Sequence, residues 1–145
     1  MALDQKFVGK KYGPITYEIG KEKIAEYAEA IKNPDPHYMD EDFAKTTKYG
    51  GIIAPPTFAV VYAGRLVGPF FFDPELELNL MMLVHGEQEF EFHEVVRPRD
   101  VITTEGEIVD IKIKEKLDVV TLKGQSSNQD GVVVCSSKFT FVIRK

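Results

Sequence analysis

Asp35 and His37 are the residues of this chain whose types and spacing come nearest to proton chemistry. They stand two residues apart in Asn33-Pro34-Asp35-Pro36-His37-Tyr38. In an extended loop, residues at that spacing point the same way. A carboxylate beside an imidazole is a base with a partner. The simpler reading of His37 is a loop histidine, solvated or hydrogen-bonded. His85 precedes Gly86 on a predicted strand. It could line a pocket; the simpler reading is a strand histidine whose hydrogen bonds are satisfied. His93 alternates with Phe92 and is expected to face solvent or a partner subunit. Glu87, Glu89 and Glu91 form an acidic comb on one strand face, read as a solvated face. Cys135 is the only cysteine and ends the apolar run Val132-Val133-Val134-Cys135. With no histidine near it in sequence, it reads as a buried strand thiol rather than a nucleophile. There is no Cys/His cluster with metal-ligand spacing and no glycine-rich phosphate loop, so neither a metal nor a cofactor is expected.

The chain around these residues has 145 positions, which suits one domain, spanning 1–145, with one core. Its 43% hydrophobic and 28% charged fractions are a globular balance that argues against disorder. A net charge of -5 with scattered Lys and Arg gives no basic stripe for nucleic acid. A single cysteine allows no internal disulfide and is compatible with a reducing cytoplasm, the expected location. Residues 1–11 are charged and lack the apolar centre of a signal peptide. The most apolar stretch, 52–67, is broken by Pro55, Pro56 and Arg65, too short and interrupted for a membrane span.

Periodicity supplies the elements. Residues 12–19 alternate as a strand, with Ile15, Tyr17 and Ile19 on one side. Residues 21–31 follow a helical period that puts Ile24, Tyr27, Ala28 and Ile31 on one face. The prolines at 34 and 36 are expected to stop that helix. A short helix is expected over 40–46 and a turn at Tyr49-Gly50-Gly51. A third helix over 56–67, with proline in its first turn, is apolar nearly all round and must be buried on most sides. Gly68-Pro69 is expected to end it. Period two then takes over, with strands expected over 80–96, 101–113, 117–126 and 132–143. Loops at 114–116 and 128–131 join the later ones. One strand, a helical middle with a buried helix, then four antiparallel strands is an α+β layout. A long curved antiparallel sheet wrapped around the central helix would bury it, which is the hot-dog arrangement.

Three segments make the chain resemble the MaoC-like (R)-specific enoyl-thioester hydratases and 3-hydroxyacyl dehydratases. The first is the stretch 30–44, around Asn33-Pro34-Asp35-Pro36-His37-Tyr38. The second is Tyr49-Gly50-Gly51-Ile52-Ile53-Ala54-Pro55-Pro56-Thr57-Phe58. The third is Val84-His85-Gly86-Glu87-Gln88-Glu89-Phe90, followed by Val96-Arg97-Pro98-Arg99-Asp100-Val101. The Ala54-Pro55-Pro56-Thr57-Phe58 run is most similar to the N-terminal MaoC-type (FAS1-like) dehydratase branch. The resemblance implies interconversion of (3R)-hydroxyacyl and trans-2-enoyl thioesters of CoA or acyl carrier protein. That reaction needs an acid and base near the reacting carbons and a donor for the thioester oxygen.

Active members of that family use an Asp and a His five residues apart and a glycine N–H. Matched to this chain, those slots hold Asn33, Tyr38 and Pro56. Asn33 has no titratable proton, Tyr38 titrates at about 10 in its reference state, and Pro56 has no N–H. His37 and Asp35 are possible substitutes, but the partner of His37 at the family spacing would be Lys32, a poor one for a base. Thr57 N–H is a possible replacement donor. Phe58, Tyr62, His85 and Gly86, with Val61, Leu66, Phe70, Phe71 and Phe72, are candidates for the acyl surface; plain core packing is the alternative for several of them. Three readings follow: a dyad-deficient acyl-binding subunit of a heterodimer whose partner carries the intact dyad, a self-sufficient homodimeric hydratase, or an acyl-CoA-binding module without turnover.

Overall fold

The computed structural model describes residues 3–145; of the charged N-terminal stretch, Met1 and Ala2 lie outside the described residues. Strand β1 covers Lys11–Glu18, β2 Leu83–Phe92, β3 Val101–Ile113, β4 Leu117–Ser127 and β5 Val133–Arg144. They form one antiparallel sheet in the order β1-β3-β4-β5-β2. The strands expected from period two are present. The strand expected over 80–96 is shorter at both ends. Residues Leu80–Met82 make a 3-10 turn. Past Phe92 the pairing with β5 runs out, and the N–H groups of His93 and Glu94 both turn to the Val134 carbonyl.

Helix α1 (Lys21–Ala30) buries Ile24 and Ala28 completely, one turn apart on the inward stripe. Ile31, expected on that face, is exposed, because the helix closes before it. Asn33 N–H donates to the Ala28 carbonyl and Lys32 N–H to Glu29, while Lys32 takes a left-handed φ of 58°. This is a Schellman closure, usually made with glycine at the left-handed position. The helix therefore stops by its own carbonyl capping, and the prolines that follow have a different task. Pro36 opens α2 (Pro36–Met39), with Asp35 as its N-cap. A proline in the first helical position forfeits no intrahelical bond. Helix α3 (Glu41–Lys45) follows, capped by Asp40, which accepts from Asp42 and Phe43 N–H.

The central helix is longer and less uniform than expected. It runs as a 3-10 turn Pro56–Phe58, α4 Ala59–Ala63, a 3-10 turn Gly64–Leu66 and α5 Val67–Phe71. Gly68-Pro69 does not end it. Pro69 falls in the first turn of α5, where a missing N–H costs little. Phe58, Ala59, Tyr62, Ala63, Leu66 and Phe70 from this helix join Ile102, Ile108, Val120, Leu122, Phe139 and Phe141 of the sheet in the core.

Leu66 of the helix packs over two facing glycines of the sheet. Gly106 of β3 and Gly124 of β4 are paired directly across the ladder. A methyl group added at Gly106 would lie 2.6 Å from Leu66 Cδ2 and 2.2 Å from the Lys123 carbonyl oxygen. At Gly124 it would meet Ser137 Oγ at 2.9 Å and Leu66 Cδ2 at 3.4 Å. The loop after α5 is tied back to β1: Tyr12 hydroxyl donates to Asp73 at 2.6 Å, and Lys10 pairs with the same carboxylate at 2.6 Å. Burial alone would raise the Asp73 carboxyl, but the Lys10 ammonium and the Tyr12 hydroxyl outweigh it and hold it below its ordinary range.

These contacts rank three substitutions. Gly106→Ala should lower stability by about 2–3 kcal/mol, because backbone must move. Gly124→Ala should cost less, since the Ser137 hydroxyl can rotate away. Gly51→Ala, with nothing within 4 Å of the added carbon, should be near neutral. Urea unfolding midpoints should fall in that order, and equal midpoints would contradict the close approach.

Candidate active site

Four segments converge on one cleft of about 390 Å³. Helix α2 contributes Tyr38, the loop before the central helix contributes Tyr49 and Pro55-Pro56, the helix itself contributes Tyr62, and the segment 92–96 closes the far wall. The loop is pinned on both sides. Ile53 N–H donates to the His37 carbonyl at 3.2 Å and Ala54 N–H to the Val96 carbonyl at 2.8 Å. The Arg97 guanidinium also donates to the Tyr49 carbonyl. Pro56 and Tyr38 therefore face a common space through backbone bonds that no side-chain motif would reveal.

The residues that the resemblance expects in working positions are placed as follows. Tyr38 lines the cleft and is partly buried. Burial, then the Asp35 charge and Tyr49, push its phenol above the ordinary range. It is a neutral hydroxyl at physiological pH and cannot act there as a ready base. Asn33 is exposed, its backbone N–H is consumed by the α1 closure, and it is not among the cleft-lining residues. Pro56 lines the cleft without an N–H to offer. Phe58 N–H closes on the Pro55 carbonyl at 2.9 Å, so Thr57 carries the first helical N–H without an intrahelical acceptor. Tyr27 hydroxyl holds Thr57 through its carbonyl oxygen at 3.0 Å and its Oγ1 at 2.9 Å.

Asp35 and His37 do meet, though as N-cap and first turn of α2 rather than in an extended loop. Asp35 Oδ1 accepts from His37 N–H at 2.9 Å and lies 2.6 Å from His37 Nδ1. The imidazole stands edge-on to Phe43 and Tyr49. Neither Asp35 nor His37 lines the cleft. The His37 N–H first, and the imidazole second, hold the Asp35 carboxyl below the usual carboxylate range.

Among the acyl-surface candidates, Tyr62 lines this cleft. Its hydroxyl is hydrogen-bonded to the buried Cys135 thiol; burial first, then the charge of a Cys135 thiolate and that bond, raise the phenol far above its ordinary value. Burial also pushes the Cys135 thiol up, as expected for an inert strand cysteine. Phe58, Leu66 and Phe70 are fully buried in the core, whereas Phe72 is exposed. Val61 and Phe71 line a second, more apolar cleft of about 580 Å³ with His85, Phe139 and Phe141. His85 Nε2 lies 3.1 Å from the Glu87 carbonyl oxygen, and its ring lies against Phe141. Gly86 sits at a register shift in β2 with Val142 beside it. Sequence reasoning missed Tyr49 and the 92–96 wall, which lie in loops whose positions are fixed by distant carbonyls. Among the described residues, no group of three or more His, Cys, Asp or Glu could hold a metal, and no helix is long and apolar enough to cross a membrane.

A sheet around a buried central helix, with a cleft at that helix's start, is the hot-dog architecture of the MaoC-like hydratases and dehydratases. The model of the family described as "FAS1-like, dehydratase domain region" matches residues 6–137, and the chain belongs to that family. A UPF0336 protein of Saccharopolyspora erythraea is 40% identical over 99% of this chain and 93% of its own length. One from Streptomyces avermitilis is also 40% identical, over 99% of this chain and 97% of its own. Among solved structures, the HadBC (3R-hydroxyacyl-ACP dehydratase) complex of Mycobacterium tuberculosis superposes with a TM-score of 0.84 at 25% identity. That match covers 97% of this chain and 99% of the other. The (R)-hydratase of A. caviae shares the fold, with a TM-score of 0.73 at 19% identity over 92% of this chain and 94% of the other.

The Asp35 geometry is testable by carboxyl NMR. The midpoint of Asp35 should lie below the reference of about 3.9. His37→Ala should return only part of that depression, because the backbone N–H of residue 37 remains. A full return would assign the effect to the imidazole instead.

Proposed function

We propose that this chain is the acyl-binding, dyad-deficient subunit of a cytoplasmic heteromeric hydro-lyase that interconverts (3R)-hydroxyacyl and trans-2-enoyl thioesters. It folds as one hot-dog domain over 1–145, and its partner is a MaoC-like chain with an intact Asp and His. One observation carries the reading: the three positions that work in active relatives hold Asn33, Tyr38 and Pro56. None of these supplies a base near neutrality, and Pro56 supplies no backbone donor. Asp35 and His37, the natural substitutes, are engaged with each other outside the cleft lining. The likeness to a 3-hydroxyacyl-ACP dehydratase complex supports the substrate class and the heteromeric form.

In this reading the partner performs the proton transfers. This chain contributes the cleft walls at Tyr38, Pro56 and Tyr62, and the apolar cleft at Val61, Phe71 and His85 receives the acyl tail. The carrier is CoA or acyl carrier protein. A homodimeric, self-sufficient hydratase is the second reading, favoured by one feature: the Thr57 N–H at the start of the central helix, next to Pro56, has no backbone acceptor among the described residues.

Restoring the dyad separates the two. Asn33→Asp/Tyr38→His should remain nearly inactive while Pro56 stays, since one missing oxyanion donor costs on the order of 100- to 1,000-fold in rate. Enoyl-thioester absorbance should hold steady with the double variant and fall when a dyad-bearing relative is added to the wild-type chain. Strong turnover by the double variant alone would show that Thr57 N–H suffices and would favour the second reading.

A further inference from the structure

The central helix carries one charged residue. Between positions 56 and 72 every side chain but Arg65 is uncharged, and Arg65 stands in the 3-10 turn Gly64–Leu66. Leu66 beside it is fully buried, whereas Arg65 is exposed. Its guanidinium lies over the Tyr17 ring, 4.2 Å from the centroid. That contact is made by the charge of the cation and leaves its N–H groups unused. Among the described residues Arg65 has no ion pair and no side-chain hydrogen bond. Its planar fork of donors is therefore free, and that fork takes a carboxylate bidentately.

The same side chain lines the apolar cleft of about 580 Å³. That volume falls within the range of about 300–1,000 Å³ typical of small-molecule sites. Beyond Arg65 the walls are Val61, Val67, Phe71, Phe139 and Phe141. The Phe139 and Phe141 rings are nearly parallel, at 5°, and Phe71 stands edge-on to Phe141 with centroids 5.0 Å apart. Among the described residues no acidic side chain lines the cleft, so an anion meets no like charge in its walls. His85 is the other polar side chain there, but its Nε2 lies 3.1 Å from the Glu87 carbonyl oxygen. Arg65 is therefore the group with donors to spare. A cation with free donors at an aromatic-walled, apolar cleft matches a ligand with a charged head and a hydrocarbon tail.

We infer that this cleft binds a free carboxylate amphiphile, an unesterified medium- or long-chain acid, with its head on the Arg65 guanidinium and its tail against Phe71, Phe139 and Phe141. A thioester has no charged head to give to Arg65, so this ligand is distinct from the thioester of the reading above. An acid seated here excludes the acyl tail that the same reading places in this cleft.

Decanoate, hexanoate and decanol are the probes, titrated by calorimetry into the purified chain and into Arg65→Gln and Arg65→Lys. Circular dichroism checks that both variants fold. Each buried methylene adds roughly fourfold to affinity, so decanoate should bind the wild-type chain at least about tenfold more tightly than hexanoate. Arg65→Gln should weaken decanoate about fivefold and leave decanol unchanged. Arg65→Lys, which keeps the charge but not the fork, should recover part of that loss. Decanoate affinity that Arg65→Gln leaves intact, or a loss equal for decanoate and decanol, would overturn the proposal. So would the lack of saturable decanoate binding below about 1 mM. Neither thioester binding nor turnover is read here, so failure of this inference leaves the hydratase reading to its own assay.

Discussion

Leu66 reaches the sheet because two paired strands present glycine at the same rung, and the rest of the structure depends on that contact. The central helix is apolar nearly all round and has to be enclosed. Enclosure needs the sheet to come close along its length, and Gly106 and Gly124 remove the side chains that would hold it off. Once the helix is seated, its first turn is fixed in space. Pro55 and Pro56 then line the cleft, with Tyr62 nearly two turns further along the helix.

The cleft itself is assembled by backbone. The His37 and Val96 carbonyls grip the loop at Ile53 and Ala54 from opposite sides, so helix α2 and the segment after β2 move with the start of the central helix. This frame joins the segments that line the cleft. What it holds is a neutral phenol at Tyr38, an imide at Pro56 and, outside the lining, an exposed amide at Asn33. In the proposed reading, this cleft lacks the groups that would move a proton or receive negative charge. A scaffolding role beside a catalytic partner explains both facts together.

Much of this was legible in the sequence. The strands followed from period two, and the buried helix from the lack of a polar face over 56–67. The family resemblance followed from short motifs. What was not legible had physical reasons. The stop of α1 looked like the work of Pro34 and Pro36, but Lys32 adopts the left-handed geometry that sequence assigns to glycine. Gly68-Pro69 looked like a terminator, but Pro69 falls where a helix has an N–H to spare. Tyr49 and Val96 belong to the motif segments, but nothing in those segments says that they line a cleft, because backbone bonds between distant parts of the chain place them.

The central claim is that this chain shapes the cleft without performing the chemistry. The most direct test is to supply the purified chain alone with a short and a long enoyl-CoA, following loss of the enoyl-thioester absorbance and measuring binding in parallel. The account predicts measurable acyl-CoA binding with no hydration of either substrate. Robust turnover by the chain alone would contradict it and would turn attention to Tyr38, His37 and Asp35 as the working groups.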